Sequence, residues 1–159
     1  MSNADLHLSA TMRGKIEQWE GCPPTVYHGG ADRPGLLSGG FGHTGPEVDA
    51  LGLGAPVSRE LADKWFQQDA YKFEAGVKDE IMDYPTTQGQ FDALFSLAYN
   101  VGLGNERKST VLREHCAGNY QAAADAFQMW DKANGVDNDG LLARRQEEAQ
   151  VYFDASPGV

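Results

Sequence analysis

The sequence lacks the features of exported, membrane-spanning and metal-binding proteins. No apolar run approaches the roughly 18 to 20 residues that span a bilayer, and Met1–Lys15 lacks the apolar stretch of a secretory signal. The two cysteines, Cys22 and Cys116, lie far apart in the sequence, so they form neither a close-spaced metal pair nor a disulfide framework. We expect reduced thiols, no bound metal, no stable membrane association and a cytoplasmic location.

Positive charge is also scarce. The chain has 13 Lys and Arg against 23 Asp and Glu, which gives a net charge of −10. A surface that follows nucleic-acid phosphates needs clustered Lys and Arg. The charge therefore argues against nucleic acid and anionic membranes as partners.

The composition is that of a globular protein. Its 159 residues are 41% apolar and 10% aromatic, enough to build a core in one ordinary domain or in two small lobes that share a cleft.

The N-terminal third combines a helix with short strands. Leu8, Met12, Ile16 and Trp19 recur at helical spacing, which predicts an amphipathic helix that ends at Glu20 before a glycine. From residue 23 to 54 the chain is rich in glycine and proline, and short apolar runs at 25–27 and 36–37 predict short strands joined by turns.

Helical periodicity dominates the rest of the chain. A long helix is predicted from the cap Ser58 to just before Pro85, long enough to join two lobes. Thr87 and Gln90 form a capping-box pattern before a second apolar helix, 88–101. Shorter helices are predicted at 109–116, 120–129 and 140–153.

Glu20 is the first candidate catalytic residue. Unpaired carbonyls at a helix end make the local potential negative, and partial burial in a cleft would likewise favour the protonated carboxyl that a general acid requires. A second carboxylate, Asp32, and a hydroxyl, Ser38, follow in the glycine-rich segment. Two carboxylates are typical of glycoside hydrolases. The alternatives are a solvated surface glutamate at 20 and a turn aspartate at 32.

Two other kinds of site fit the sequence poorly. Residues 40–45 match the dinucleotide-binding fingerprint in form, but Pro46 and a loop follow where a helix should begin. A zinc site of an amidase would need ligands from Cys22, His28, His43 and Cys116. Their spacing is irregular, and such a site would leave Glu20 without a role.

Several blocks in order carry a family resemblance. Glu20-Gly21 is followed by Tyr27, by an Asp-x-x-Gly-x-x-Ser segment at 32–38, and by Gly40-Phe41-Gly42-His43. With these blocks the chain resembles the phage-type lysozymes, the muramidase endolysins of glycoside hydrolase family twenty-four. The resemblance covers nearly the whole chain, because further matches lie at 90–94, 98–102, 109–110, 140–145 and 147.

The resemblance implies an α+β, lysozyme-like fold. Its parts would be a helix plus a small lobe with a short antiparallel sheet at about 1–57, a connecting helix at 58–84 and a helical lobe at 85–159, with the cleft between the lobes. It implies hydrolysis of the β-1,4 bond between N-acetylmuramic acid and N-acetylglucosamine in bacterial peptidoglycan, without a metal or organic cofactor.

The resemblance also assigns roles to residues. Glu20 would protonate the leaving oxygen, while Asp32 and Ser38 hold and activate a water on the opposite face of the sugar, an inverting arrangement. Tyr99 and Asn100 match family positions that face the cleft and would contact the glycan; core packing and helix termination are their alternative roles. Arg144 would contact an anionic substituent of the glycan. His43 would form an ion pair with Asp69 that raises the pKa of the histidine and ties the small lobe to the connecting helix, with a surface histidine as the alternative.

The sequence departs from the family pattern at two positions. The family places its aspartate nine residues after the glutamate, where this chain has Gly29, so Asp32 fits only with a three-residue insertion in 28–31. Ser38 replaces the usual threonine, which keeps the hydroxyl and loses the methyl that stiffens the side chain.

The expected partner is the peptidoglycan strand, attacked by a monomer. An endolysin of this kind accumulates in the host cytoplasm and reaches the wall through a membrane lesion made by a holin-type partner. Three alternatives stay open: an injected antibacterial effector, a virion-associated domain, and a lysozyme-like protein that binds glycan without cleaving it.

Overall fold

The computed structural model describes residues 2–30 and 35–154. Helices dominate, and two small antiparallel sheets complete the secondary structure of these residues. The helices are α1 (Ala10–Glu20), α2 (Pro46–Leu51), α3 (Arg59–Ile81), α4 (Gln88–Val101), α5 (Leu103–Arg107), α6 (Thr110–Cys116), α7 (Tyr120–Ala126) and α8 (Asp139–Asp154), with 3₁₀ turns at Asn3–Asp5 and Phe127–Trp130. The strands are β1 (Tyr27–His28), β2 (Leu37–Ser38), β3 (Lys132–Ala133) and β4 (Val136–Asp137).

The chain divides into two compact units. One contains Gly14–Lys72, and the other contains residues 2–13 together with residues 73–154. Helices α1 and α3 each contribute residues to both units. We call the two units the 14–72 unit and the 73–154 unit.

The 14–72 unit is built around a hairpin and the first part of α3. In the hairpin β1 pairs antiparallel with β2, so that Tyr27 lies opposite Ser38. The α3 helix begins after Ser58, whose hydroxyl accepts a hydrogen bond from the Leu61 amide at 3.1 Å. Phe41 packs edge-on against Phe66 of α3, with ring centroids 5.7 Å apart. The buried apolar residues of this unit are Ile16, Val26, Phe41, Val48, Val57, Ala62, Trp65 and Phe66.

The core of the 73–154 unit surrounds α4. Every residue from Phe91 to Ala98 is buried, and α4 packs mainly against α8 and α5. The capping box predicted at its start is present: the Thr87 hydroxyl accepts from the Gln90 amide, and the Gln90 side chain accepts from the Thr87 amide. This predicted helix is confirmed at both ends.

A buried carboxylate joins the start of the chain to α4. Asp92 accepts hydrogen bonds from the Ser9 amide at 3.0 Å and from the Ser9 hydroxyl at 2.6 Å. The same hydroxyl accepts from the Met12 amide and so caps α1. Burial raises the pKa of Asp92, although its hydrogen bonds from Ser9 and Gln88 oppose the shift.

The structure corrects the sequence predictions in several details. Helix α3 ends at Ile81, because Met82 adopts a left-handed φ of 45° three residues before Pro85. The predicted helix 120–129 is α7 followed by a 3₁₀ turn, and the strands lie one or two residues later than expected. Three elements were not predicted: α2, α5 and the β3–β4 hairpin.

Candidate active site

Glu20 is the last residue of α1, as predicted. The next residue, Gly21, has a left-handed φ of 67° and ends the helix. The half-buried Glu20 carboxyl lies against the turn at residues 40–42: a Cβ added to Gly42 would be 3.3 Å from Glu20 Oε2. Gly42 itself has a φ of 87°, so this position suits glycine both conformationally and sterically.

Tyr27 lies within electrostatic range of this carboxyl. Burial raises the pKa of the phenol, and the negative charge of Glu20 raises it further, while a hydrogen bond with the Gly42 backbone acts in the opposite direction. The Tyr27 phenol is therefore neutral at every physiological pH. In the sequence Tyr27 is part of a family motif without an assigned role, and the effect of the Glu20 charge on its phenol emerges only from the fold.

Ser38 occupies a buried position on β2 with 4% of its surface exposed. Its hydroxyl packs directly against the Cα of Gly29, because a Cβ built at Gly29 would lie 2.0 Å from Ser38 Oγ and 3.1 Å from Ser38 Cβ. No side chain fits at Gly29 unless Ser38 moves. Gly29 is the position at which the family pattern has its aspartate, so the hairpin itself disfavours a carboxylate there.

Asp32, the predicted second carboxylate, lies outside the described residues. Among the described residues, the Gly29 amide donates a hydrogen bond to the Leu36 carbonyl at 2.8 Å. The role of Asp32 therefore stays a prediction.

His43 is held between two carboxylates. Its Nδ1 donates to Asp69 Oδ2 at 2.8 Å and its Nε2 donates to Glu47 Oε1, while its ring stacks on Trp65 with centroids 4.9 Å apart. Burial alone lowers the pKa of His43, but the hydrogen bonds and charges of Asp69 and Glu47 outweigh burial and raise it. The predicted His43–Asp69 ion pair is confirmed; the contribution of Glu47 was missed because α2 was not predicted.

This arrangement gives His43 a supporting role. Both ring nitrogens donate to carboxylates, so the imidazolium is favoured and neither nitrogen is available as a base or a metal ligand. His43 also exchanges two backbone hydrogen bonds with Gly39, at 2.9 Å each. The turn that approaches Glu20 is thus anchored to α2 and α3.

The three predicted glycan contacts belong to the 73–154 unit. Tyr99 is half-buried against Phe73 and Phe95. Asn100 is exposed, and its Oδ1 accepts a hydrogen bond from Arg145 at 3.0 Å. Arg144 is only 5% exposed. Contact of these three residues with glycan stays a prediction.

A buried ionic network underlies Asn100 and accounts for the burial of Arg144. Glu148 is fully buried and pairs with both arginines, at 2.7 Å from Arg145 Nε and 3.2 Å from Arg144 Nε. Its Oε1 also accepts from the Ser96 hydroxyl at 2.6 Å. Arg145, fully buried, connects this network to the exposed Asn100. The family resemblance includes Glu147, whereas the acid that binds both guanidinium groups is its neighbour Glu148.

Residues 2–30 and 35–154 contain neither a cluster of metal ligands nor a membrane-spanning helix. Within these ranges no group of three or more His, Cys, Asp or Glu residues is placed to hold a metal ion. Both cysteines are free thiols. None of the helices in these ranges has the length and apolarity to cross a membrane.

A family model described as Phage lysozyme matches residues 17–148. The chain belongs to the phage lysozyme family. The match contains Glu20, Ser38, His43 and the Glu148 network, and it extends over both units.

Sequence relatives of this phage lysozyme are endolysins. It is 42% identical over 114 residues to an endolysin of Bacillus phage B103, covering 72% of this chain and 42% of that protein. It is 37% identical over 124 residues to an endolysin of Salmonella phage P22, covering 77% and 84%. The chain thus spans less than half of the Bacillus phage protein and most of the Salmonella phage protein.

Solved structures show the same fold. An endolysin from Escherichia coli O157:H7 phage FAHEc1 aligns with a TM-score of 0.81 at 31% identity, covering 98% of each chain. The muramidase domain of SpmX from Asticaccaulis excentricus aligns with a TM-score of 0.80 at 29% identity, covering 93% of this chain and 98% of that one. The predicted α+β, lysozyme-like fold is confirmed.

Proposed function

We propose that this phage lysozyme hydrolyses the β-1,4 bond between N-acetylmuramic acid and N-acetylglucosamine in bacterial peptidoglycan. Family membership and the endolysin and muramidase relatives support a glycoside hydrolase acting on the cell wall. The observation that carries the proposal is the position of Glu20: a half-buried carboxyl at a helix end, against a backbone turn and within electrostatic range of a neutral phenol.

Glu20 acts as the general acid in this proposal. Its proton passes to the glycosidic oxygen as the bond to the sugar carbon breaks. The close approach of Gly42 bounds the carboxyl on one side, and restricted orientation is what an efficient proton donor needs.

Asp32 and Ser38 prepare the water. The carboxylate takes a proton from the water while the hydroxyl fixes its position, and the oxygen attacks the sugar carbon from the face opposite the leaving group. An inverting pair of carboxyls needs roughly 6.5 to 9.5 Å between them to admit this water. The burial of Ser38 against Gly29 supports a fixed hydroxyl.

Access to the wall follows from the same proposal. A monomer made in the host cytoplasm would meet its substrate after a holin-type partner opens the membrane, and an injected effector could perform the same chemistry.

Wall-degradation assays test the mechanism. Wild type should release new reducing ends at muramic acid and give the inverted anomer as first product. Glu20→Gln and Asp32→Asn should each lower the rate by about 10²- to 10⁴-fold, the usual range for losing a general acid or base. Ser38→Thr should stay active and Ser38→Ala should not.

Two outcomes would overturn the proposal. An unchanged rate in Glu20→Gln would remove the acid from the mechanism. Wall binding by the wild type without any release of reducing ends would identify a lysozyme-fold protein that only binds glycan.

A further inference from the structure

The surface between α7 and α8 contains an open groove with an unusual lining. Its volume is about 360 Å³, within the range of roughly 300 to 1,000 Å³ typical of small-ligand sites. Four of the chain's nine glutamines line it. We call it the glutamine groove, and these residues are Gln121, Gln128, Gln146 and Gln150.

Three of these amides are available to a ligand. Gln128, Gln146 and Gln150 are exposed and make no hydrogen bond with any described residue. Each amide offers two N–H donors and one carbonyl acceptor. Gln121 is different, because its Nε2 donates to Asp125 Oδ1 at 3.0 Å.

The groove also has an apolar part. Ala124 and Ala149 contribute small side chains to the lining, and Phe153, 54% exposed, contributes an aromatic side chain. An aromatic side chain beside amides is suited to a sugar ring, which presents C–H groups on its faces and hydroxyl or acetamido groups at its edge.

The charge of the groove narrows the class of ligand. None of the described residues that line it is cationic, and the carboxylate of Asp125 is occupied by Gln121. A carboxylate ligand, such as the stem peptide of peptidoglycan, would find no counter-charge among these lining residues, and the net charge of −10 disfavours it further. A neutral ligand rich in hydroxyl and amide groups is the one that matches.

We propose that the glutamine groove is a non-catalytic binding site for the N-acetylhexosamine units of a glycan strand. All of its lining residues belong to the 73–154 unit, whereas Glu20 and Ser38 belong to the 14–72 unit. The choice of glycan as occupant rests on the proposed function. A second contact with a long polymer raises the local concentration of glycan at the enzyme even if each contact alone is weak.

The test separates binding from cleavage. Glu20→Gln protein, which should not cleave, is titrated with N-acetylglucosamine oligomers while backbone amide resonances are followed by NMR. We expect saturable shifts clustered in residues 121–153. The double variant Gln146→Ala/Gln150→Ala in the same background should weaken the binding seen at these residues at least about fivefold. Gln67→Ala/Gln68→Ala, an exposed pair on α3, is the matched control and should change nothing.

Wall kinetics give a second readout. In the otherwise wild-type enzyme, Gln146→Ala/Gln150→Ala should raise KM for wall fragments about threefold or more with kcat unchanged, as expected when a remote binding contact is lost. A merely structural defect would lower kcat as well, and would appear in the NMR spectrum away from the groove.

Three results would overturn the inference: no shifts in residues 121–153 at saturating oligomer, shifts that persist in the double variant, or shifts caused by free stem peptide and not by oligomer. The catalytic proposal fails separately. Groove binding by a chain that releases no reducing ends would retain this site and reject the hydrolase mechanism, and cleavage without groove binding would do the reverse.

Discussion

Replacing Glu106 by glutamine should stabilise the protein at neutral pH. Glu106 is fully buried on α5, and neither of its carboxyl oxygens has a hydrogen-bond donor among the described residues. Its neighbour is a second buried carboxyl, Glu80, which accepts from Arg107 Nε at 3.1 Å. Burial first, and then Glu80, raise the pKa of Glu106 to about 10. At pH 7 Glu106 is therefore protonated in the folded state, and Glu80 is the acceptor that faces its proton.

The free-energy cost of taking up that proton on folding sets the gain in stability expected for Glu106→Gln. With an ordinary pKa of 4.5, an unfolded Glu106 is ionised at pH 7. Folding therefore requires Glu106 to take up a proton at a pH about 2.5 units above its unfolded-state pKa. At about 1.4 kcal/mol per unit, this is about 3 kcal/mol. Glutamine supplies N–H donors to Glu80 without taking up a proton. We expect a gain of about 2 to 3 kcal/mol, or about 4 to 12 °C in Tm for a chain of this size.

The pH dependence identifies the cause. Because the folded-state pKa is raised, Glu106 destabilises the wild type progressively as pH rises above 4.5, so the gain in Glu106→Gln should be close to zero at pH 4.5 and grow up to pH 7. Urea unfolding at a series of pH values measures it. Asp79→Asn, which neutralises an exposed carboxylate on α3, should shift the free energy of unfolding by less than about 0.5 kcal/mol. Equal stability of wild type and Glu106→Gln across pH 5 to 8 would refute the reasoning.

Three further predictions concern other residues. His115 is buried, with Nδ1 bonded to the Tyr152 hydroxyl and Nε2 to the Thr86 hydroxyl, and burial lowers its pKa to about 4. The free energy of unfolding should therefore fall by roughly 3 kcal/mol as pH drops from 6.5 to 4, because only the unfolded state takes up the proton in this range. In urea unfolding, His115→Gln should flatten this pH dependence. Gly29→Ala should lower kcat for wall hydrolysis by up to about 100-fold, because the new Cβ displaces the Ser38 hydroxyl. The control is Gly14→Ala, at an exposed helical position with no atom within 4 Å of the new Cβ, which should leave kcat unchanged. Equal activity of the two variants would contradict the Ser38–Gly29 contact. Asp69→Asn should lower the pKa of His43, measured by NMR titration of the imidazole. It should also destabilise the protein by about 1 kcal/mol at acidic pH. This loss should shrink as pH rises through the folded-state pKa of His43, because the histidine of the wild-type ion pair then loses its charge. An unchanged His43 titration would show that Glu47 alone sets its charge.

Periodicity predicted the helices that bury a continuous apolar face. Helix α4 is the clearest case, because its apolar residues recur regularly between a capping box and a terminal glycine. Short elements carry less signal: α2 has a single buried residue, Val48, so its periodicity cannot be read. The β3–β4 hairpin does have a sequence signal, the Asn134-Gly135 pair, whose positive φ values of 52° and 74° make the two-residue turn.

The candidate site was predictable only in part. Glu20 and the His43–Asp69 pair follow from motif spacing and from the family resemblance. The approach of Gly42 to Glu20 and of Gly29 to Ser38 depends on backbone geometry that no residue pattern encodes. The Glu148 network was hidden for another reason: arginine and glutamate on a helix are usually solvated, so a sequence gives no sign that α8 turns these charges inward.

The two glycines that follow Ser38 have a consequence for how the site can vary. A Cβ at Gly39 would lie 2.6 Å from the Trp65 ring, and one at Gly40 would lie 2.8 Å from the Ala62 Cβ. Bare main chain therefore touches the α3 surface with no side chain as a spacer. Because Ser38 directly precedes Gly39, enlarging Ala62 should shift this main chain and with it the hydroxyl that we propose to hold the water. A fully buried alanine of α3 is in this way coupled through the main chain to the Ser38 hydroxyl.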